Sequence, residues 1–99
     1  ASVGLKEDDA AKQGLYFDVN YEDTSGWYSS KRIGLKYSAY KTLVEKDTGL
    51  ILGAHLLGAH ADEVISIFAL AIRNGLNAKD LKTMVFAYPT SASDISYMV

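Results

Sequence analysis

The spacing of hydrophobic and polar residues changes along this chain from a strand-like to a helix-like pattern. Two runs typical of β-strands, Leu35 to Glu45 and Leu50 to Leu57, flank Lys46-Asp47-Thr48-Gly49. Because Asp and Gly suit tight turns, this arrangement predicts a β-hairpin. Partial alternation over Tyr16 to Tyr21 predicts a half-buried strand, and Val3-Gly4-Leu5 predicts a short one.

The helical pattern predicts a helix from Ala61 to Asn74, followed by Gly75 in the left-handed conformation that closes many helices. An ordinary surface helix carries an apolar stripe of only about 100°. Here apolar residues occupy nearly every face: Val64, Ile65, Ile67, Phe68, Ala69, Leu70, Ala71 and Ile72. One small sheet covers only one side, so we expect the other side in a subunit interface or beneath further domains.

Three shorter helices are predicted from their first turns. Acidic residues near the start of Lys6 to Gln13 favour the positive end of a helix dipole. Asn77 suits the cap of a helix over Ala78 to Thr83, and Asp80 stands at the third helical position, as in a capping box. Ser91-Ala92-Ser93-Asp94 has capping-box spacing, which predicts a terminal helix over Ala92 to Met98. Together the elements predict one α+β domain over residues 1–99, with an antiparallel sheet of four or five strands and helices packed on one face.

Composition limits the partners and the chemistry of the chain. Its 99 residues, 48% of them hydrophobic, suffice for one core. A net charge of −2 lacks the basic footprint that nucleic acid or an anionic membrane attracts. The chain has no cysteine, so it has no thiol nucleophile and no disulfide. The run from Val64 to Ile72 is too short to cross a bilayer, and we expect a soluble, cytoplasmic protein.

The last fourteen residues, from Phe86 to Val99, resemble the C-terminal end of the pyridine-nucleotide disulfide oxidoreductases, such as glutathione reductase, dihydrolipoamide dehydrogenase and mercuric reductase. Many members read His-Pro-Thr there, with a glutamate five residues after the histidine. Pro89 and Thr90 keep the pattern, but Tyr88 stands at the histidine position. Ser93 stands at the glutamate position, and the nearest acid comes one place later.

The resemblance covers almost the whole chain. Ala1 to Ala10 is similar to the segment that opens the family's interface domain. Gly49 to Gly58 and Ala61 to Ile65 are similar to its glycine-containing strand and to the start of its long helix. The resemblance implies the dimerisation domain of a larger homodimeric flavoenzyme. FAD and NAD(P)H would then be bound by other domains of the same chain, and this domain alone would bind neither and would not be catalytic.

In the histidine version, the resemblance implies a side chain that reaches the partner subunit's disulfide and transfers protons. Tyrosine titrates near pH 10, so it suits a proton donor or hydrogen-bond partner better than a base. Two interpretations of Tyr88 remain open: a functional hydroxyl, or a ring that packs and shields the flavin. For Pro89, the resemblance implies a cis peptide bond whose backbone lies beside the partner's flavin.

Other candidate sites give weaker signals. His55 and His60 are the only histidines, too few to indicate a metal site, and the resemblance implies a structural strand for His55. Gly53 to Gly58 has the outer spacing of a phosphate loop but lacks the following Lys-Ser/Thr. We expect these glycines to let the strand pack closely against the long helix.

Two alternatives to the flavoenzyme domain stay open. The first is a stand-alone oligomerisation or protein-binding module without catalytic activity. The second is a small enzyme that uses Tyr88 or the two histidines, but the sequence offers no set of nucleophile, base and orienting group for it.

Overall fold

A computed structural model of the protein describes residues 1–24, 38–87 and 90–99. The first part of the strand predicted from Leu35 lies outside these residues. None of the helices in the described ranges has the length and hydrophobicity needed to cross a membrane. The secondary structure follows the order β1 (Ser2–Gly4), α1 (Glu7–Lys12), β2 (Phe17–Asp23), β3 (Ala39–Glu45), β4 (Ile51–Leu57), α2 (Ala61–Arg73), α3 (Ala78–Thr83) and a terminal 3₁₀ helix (Ser91–Tyr97).

The strands form one antiparallel sheet of four strands in the order β1-β4-β3-β2. The predicted hairpin is confirmed, with Ala39 opposite Leu57 and Val44 opposite Ile51. Its turn ends at Gly49, whose φ of 72° is the left-handed conformation that glycine adopts without steric cost. An irregularity between Leu43 and Val44 shifts the register of this hairpin.

The main core lies between the sheet and α2, α3 and the terminal helix. Phe68 of α2, Leu81 of α3 and Ile95 of the terminal helix are each fully buried. They belong to one cluster with residues of β3, β4 and α2: Tyr40, Val44, Ile51, Ala54, Leu56, Val64 and Ala71. The α+β fold is therefore confirmed, with α2, α3 and the terminal helix packed against one face of the sheet.

Helix α1 adds a contact on the opposite side of the sheet. Side chains alternate along a strand, so Lys41 points away from the face that carries Tyr40 and Thr42. Its ammonium group lies 3.2 Å from the carboxylate of Glu7 at the start of α1. The start of α1 therefore lies on the sheet face opposite the main core.

The long helix buries only part of its apolar surface. Val64, Phe68 and Ala71 are buried, whereas Leu70 is 61% exposed. Gly75 follows with a φ of 64°, which confirms the predicted left-handed ending. Leu70 is thus the large apolar side chain that α2 leaves exposed, and the covering of this side by other structure stays a prediction.

The two shorter C-terminal helices differ in how well their caps were predicted. Asn77 and Asp80 form the expected capping box on α3 through two side-chain to backbone bonds of 2.9 Å. For the terminal helix, the prediction of Ser91 as cap was wrong. Thr90 has the extended backbone of a cap, and its hydroxyl accepts from the Ser93 amide at 3.3 Å. With Thr90 as the cap, Asp94 is the fourth helical residue rather than the third. In a capping box it is the third residue whose side chain bonds to the backbone amide of the cap, so Asp94 does not complete one.

Gly53 was predicted to pack against the long helix, and this interpretation was wrong. A Cβ at Gly53 would overlap the backbone oxygen of Leu5, in the segment between β1 and α1. The Leu5 amide donates to Leu52 at 2.9 Å, which holds that segment against β4. The glycine thus admits another backbone rather than a helix.

Candidate functional site

Tyr88 and Pro89, the predicted site residues, lie outside the described ranges, but the residues on either side of them are described. The Thr90 hydroxyl donates to the Ala87 carbonyl at 2.5 Å and accepts from the Ser93 amide at 3.3 Å. A hydroxyl has one proton and can also accept, so one side chain serves both contacts. Thr90 therefore joins Ala87, which precedes the Tyr88-Pro89 pair, to the first turn of the terminal helix.

Ser93 stands where the family has glutamate, and its hydroxyl is engaged locally. It donates to the Thr90 carbonyl at 2.6 Å. Ser96 repeats this bond one turn later, to the Ser93 carbonyl at 3.4 Å. Such bonds to the carbonyl three residues back accompany the tight 3₁₀ turn here. A serine hydroxyl carries no charge, so it cannot replace a carboxylate that stabilises a cationic partner.

The sheet provides the support for the terminal helix. The Tyr40 hydroxyl lies 3.1 Å from the Tyr97 carbonyl, and the Thr42 hydroxyl donates to the Met98 carbonyl at 2.5 Å. The fully buried Ile95 fixes the middle of the helix in the core. Sequence reasoning missed these two hydroxyls, because a tyrosine and a threonine are ordinary residues in a β-strand.

Burial raises the pKa of the Tyr40 phenol above its ordinary value of 10.0. The nearby Glu22 carboxylate raises this pKa further, through its charge and through a hydrogen bond at 3.4 Å. Both effects favour the neutral phenol over the phenolate. Tyr40 therefore stays a hydrogen-bond donor throughout the neutral pH range.

Alkaline pH should weaken the fold through Tyr40. The raised pKa means that the folded state holds this proton more tightly than the unfolded chain does. The resulting stabilisation is complete below about pH 10 and is lost as the pH rises through the higher folded-state pKa. Urea unfolding from about pH 8 to about pH 11 should show a larger loss of stability for the wild type than for Tyr40→Phe. Parallel losses in the two proteins would contradict this assignment.

A cavity of about 370 Å³ lies beside Thr90, between the start of α2 and the start of the terminal helix. Its ionisable side chains are the exposed His60 and Glu63. Among the described residues, His60 is the only non-glycine with positive φ, at 62°. The sequence placed His60 at the end of a strand and gave no sign that it lies near Thr90.

His55 has a structural environment on β4. Its Nε2 lies 3.0 Å from the Leu5 carbonyl, and its Nδ1 lies 2.9 Å from the Ser2 hydroxyl. A carbonyl only accepts, so Nε2 carries a proton. Both ring nitrogens thus join β4 to β1 and the residues after it. Within residues 1–24, 38–87 and 90–99, no cluster of three or more metal-binding side chains occurs.

A larger cavity, about 560 Å³, opens on the α1 side of the sheet. Tyr21, Lys41, His55 and Ser2 lie in one row across its four strands. Lys41 pairs with Glu7, and His55 bonds to Ser2. Lys41, His55 and Ser2 of this row are thus engaged in contacts within the fold, and the arrangement indicates a structural role.

Exposed apolar side chains occur close to the predicted site in sequence. Val85, three residues before Tyr88, is 95% exposed, and Met84 is 42% exposed. A valine exposed to this extent gains nothing from the fold of the single chain. This segment therefore presents two neighbouring apolar side chains to solvent.

Comparison with known proteins gives a consistent family. A family model described as pyridine nucleotide-disulphide oxidoreductase, dimerisation domain, matches residues 1–99. An uncharacterized 19.7 kDa protein in the mercuric resistance operon of Staphylococcus aureus is 46% identical over 100% of this chain and 55% of its own length. Dihydrolipoyl dehydrogenase of Bacillus subtilis (strain 168) is 33% identical over 91% of this chain and 19% of its own length.

Solved structures share the fold. The HOCl-induced flavoprotein disulfide reductase RclA from Escherichia coli matches with a TM-score of 0.92 and 23% identity, over 98% of this chain and 22% of that one. LpdA from Mycobacterium tuberculosis matches with a TM-score of 0.88 and 18% identity, over 98% of this chain and 21% of that one. The chain spans about half the length of the S. aureus relative and about a fifth of the others.

Proposed function

We propose that this chain forms the two-fold interface of an FAD- and NAD(P)H-dependent disulfide oxidoreductase. The chain belongs to the family of pyridine nucleotide-disulphide oxidoreductase dimerisation domains. The observation that carries the proposal is the family match over residues 1–99. The family is one of flavin-dependent pyridine-nucleotide oxidoreductases, and its dimerisation domains imply oligomers. The expected partners are a second copy of the protein and the flavin and nicotinamide domains of the same chain.

Redox chemistry belongs to the other domains in this proposal. The 99 residues contain no cysteine, so a reactive disulfide must come from elsewhere in the parent enzyme. FAD and NAD(P)H supply the electron transfer when bound there. A disulfide reductase also suits the cytoplasm, where thiols are kept reduced, and we place the parent enzyme in that compartment.

Tyr88 and Pro89 are the residues that this domain contributes to the partner subunit's active site in our proposal. The bond from Thr90 to Ala87 joins the residues on either side of this pair and supports the assignment. A tyrosine hydroxyl donates a proton or hydrogen bond at neutral pH, so we assign Tyr88 the role of donor to a thiolate or substrate atom. The backbone at Pro89 is assigned to the partner's flavin.

The dimer is tested by placing a charge on the exposed segment before Tyr88. Val85→Asp in the full-length protein should weaken dimerisation by about tenfold or more, because the carboxylate would lose water at an apolar contact. Analytical ultracentrifugation over a range of concentrations measures the effect. A full-length protein that stays monomeric at all concentrations would overturn the proposal itself.

Val19→Asp is the matched control for this experiment. Val19 is 39% exposed and pairs with Leu43 on the α1 side of the sheet, away from the terminal helix. The same chemical change there should leave the dimer intact. Equal weakening by the two substitutions would show that the charge, rather than the position of Val85, is responsible.

One observation favours a second candidate function. The S. aureus relative has a mass of only 19.7 kDa, compared with 10.8 kDa for this chain. Domains commonly have about 100 to 150 residues, so that relative has no room for two further nucleotide-binding domains. The alternative for this chain is a stand-alone oligomerisation or protein-binding module without catalytic activity. Flavin absorbance in the purified full-length protein supports the enzyme, and its absence supports the module.

A further inference from the structure

Two hydroxyl groups on one face of β3 hold the C-terminal end of the terminal helix. The hydroxyl of Tyr40 lies 3.1 Å from the Tyr97 carbonyl, and that of Thr42 donates to the Met98 carbonyl at 2.5 Å. These carbonyls are among those that a helix leaves without a partner at its end. The sheet thus places a hydroxyl group against each of two consecutive carbonyls. Thr42 donates its proton to Met98, and the single proton of Tyr40 is shared between Tyr97 and the Glu22 carboxylate.

We propose that Tyr40 and Thr42 are positioning residues for the partner subunit's active site. By fixing the terminal helix against the sheet, they set the location of Thr90, whose hydroxyl bonds to Ala87 just before the Tyr88-Pro89 pair. This inference rests on the proposed function, because it needs the Tyr88-Pro89 segment to act at that site. Neither Tyr40 nor Thr42 contacts the reacting atoms in this proposal.

A continuous set of contacts connects β3 to the site. The Met98 amide donates to the Ile95 carbonyl at 2.9 Å, and Ile95 is fully buried in the core. Ser93 then donates through its amide to the Thr90 hydroxyl at 3.3 Å. Thr90 in turn donates to the Ala87 carbonyl. A shift of the helix at its C-terminal end therefore moves the hydroxyl that holds the chain before Tyr88.

Packing alone does not require a threonine at position 42. Thr42 is fully buried and pairs with Ala54 of β4, a place where valine has the same shape and no polar atom to bury. The hydroxyl is retained with two partners, since it also accepts from the side-chain Nδ2 of Asn20 at 3.4 Å. What the hydroxyl adds over a methyl group is the directional bond to Met98.

Two substitutions at Thr42 separate positioning from packing. Thr42→Val keeps the shape and removes the hydroxyl, whereas Thr42→Ser keeps the hydroxyl and removes a methyl group. In the full-length enzyme, Thr42→Val should lower kcat about tenfold and change the visible spectrum of the bound flavin, since small misplacements of a site are costly. Thr42→Ser should retain both properties near the wild-type values. If Thr42→Ser is impaired and Thr42→Val is not, Thr42 acts through packing and the inference fails.

Tyr40→Phe tests the second hydroxyl, with Tyr21→Phe as the matched control. Tyr21 is 64% exposed and lies on the other face of the sheet, beside Lys41. Hydrogen-deuterium exchange, followed by mass spectrometry on a peptide spanning residues 84–99, gives a readout that needs no flavin. Tyr40→Phe and Thr42→Val should each speed exchange in this peptide several-fold, and Tyr21→Phe should not.

The two measurements distinguish failure of this inference from failure of the proposed function. Unchanged exchange in Tyr40→Phe and Thr42→Val overturns the positioning role. Faster exchange with unchanged kcat and flavin spectrum overturns the role of the Tyr88-Pro89 segment, and the inference falls with it. Faster exchange together with lower kcat in these variants, and rescue by Thr42→Ser, establishes it.

Discussion

Tyr88→Phe should lower the turnover of the proposed full-length flavoenzyme by about 100-fold and leave the dimer intact, because the hydroxyl is assigned as a proton donor. The substitution removes only the phenolic oxygen, so the ring still fills the same space. Steady-state kinetics with NAD(P)H and a disulfide substrate give kcat, and ultracentrifugation gives the dimer. Rapid reduction of the flavin by NAD(P)H should persist, because Tyr88 is assigned to the disulfide side of the reaction.

Tyr16→Phe is the control for this loss. Tyr16 is 65% exposed and lies beside Lys46, with the Lys46 ammonium 4.4 Å from the centre of its ring. Removal of its hydroxyl should leave turnover unchanged. Wild-type kinetics in Tyr88→Phe would assign Tyr88 to the other interpretation, a ring that packs and shields the flavin.

Gly53→Ala should cost about 3 kcal/mol of unfolding free energy, a large effect for one added methyl group. The new Cβ would overlap the Leu5 backbone oxygen, and backbone atoms cannot move aside as the end of a side chain can. Relief would require β1 and β4 to separate near Gly4, which pairs with Gly53. Urea unfolding followed by far-UV circular dichroism measures the loss.

Gly14→Ala is the control for Gly53→Ala, because Gly14 is needed for its positive φ and not for lack of space. Gly14 has a φ of 72°, but a Cβ there would have no atom within 4 Å apart from those of Gly14 and its two chain neighbours. Its cost of about 1 kcal/mol would come from backbone conformation alone. Equal losses at the two positions would contradict the overlap at Gly53.

The elements predicted correctly from sequence are those that short-range chemistry determines. The hairpin turn at Gly49, the end of α2 at Gly75 and the capping box from Asn77 to Asp80 are confirmed. Each depends on residues only a few positions apart, whose preferences act before any tertiary contact forms. The terminal helix begins one residue earlier than predicted, at Ser91. The prediction failed because Thr90 and Ser91 are both suitable caps, and local sequence alone does not choose between them.

The site was predictable only as far as a resemblance extends. Tyr88 and Pro89 were identified by their alignment with a known motif, and their roles stay predictions. Their support was not visible in sequence, because Tyr40 and Thr42 lie 57 and 56 positions from the carbonyls they hold. The role of Gly53 was misjudged for the same reason, since its neighbour Leu5 belongs to a distant part of the chain.

By itself the sequence determined the family of this domain, its main strands and helices, and the absence of a thiol for redox chemistry. Turn residues, caps and apolar periodicity act locally, and motif order needs no coordinates. Only the tertiary structure decided that β3 holds the terminal helix, that Thr90 joins Ala87 to Ser93, and that Val85 stays exposed. These features arise when distant segments meet, because a hydroxyl in a strand shows its partner only after the chain has folded.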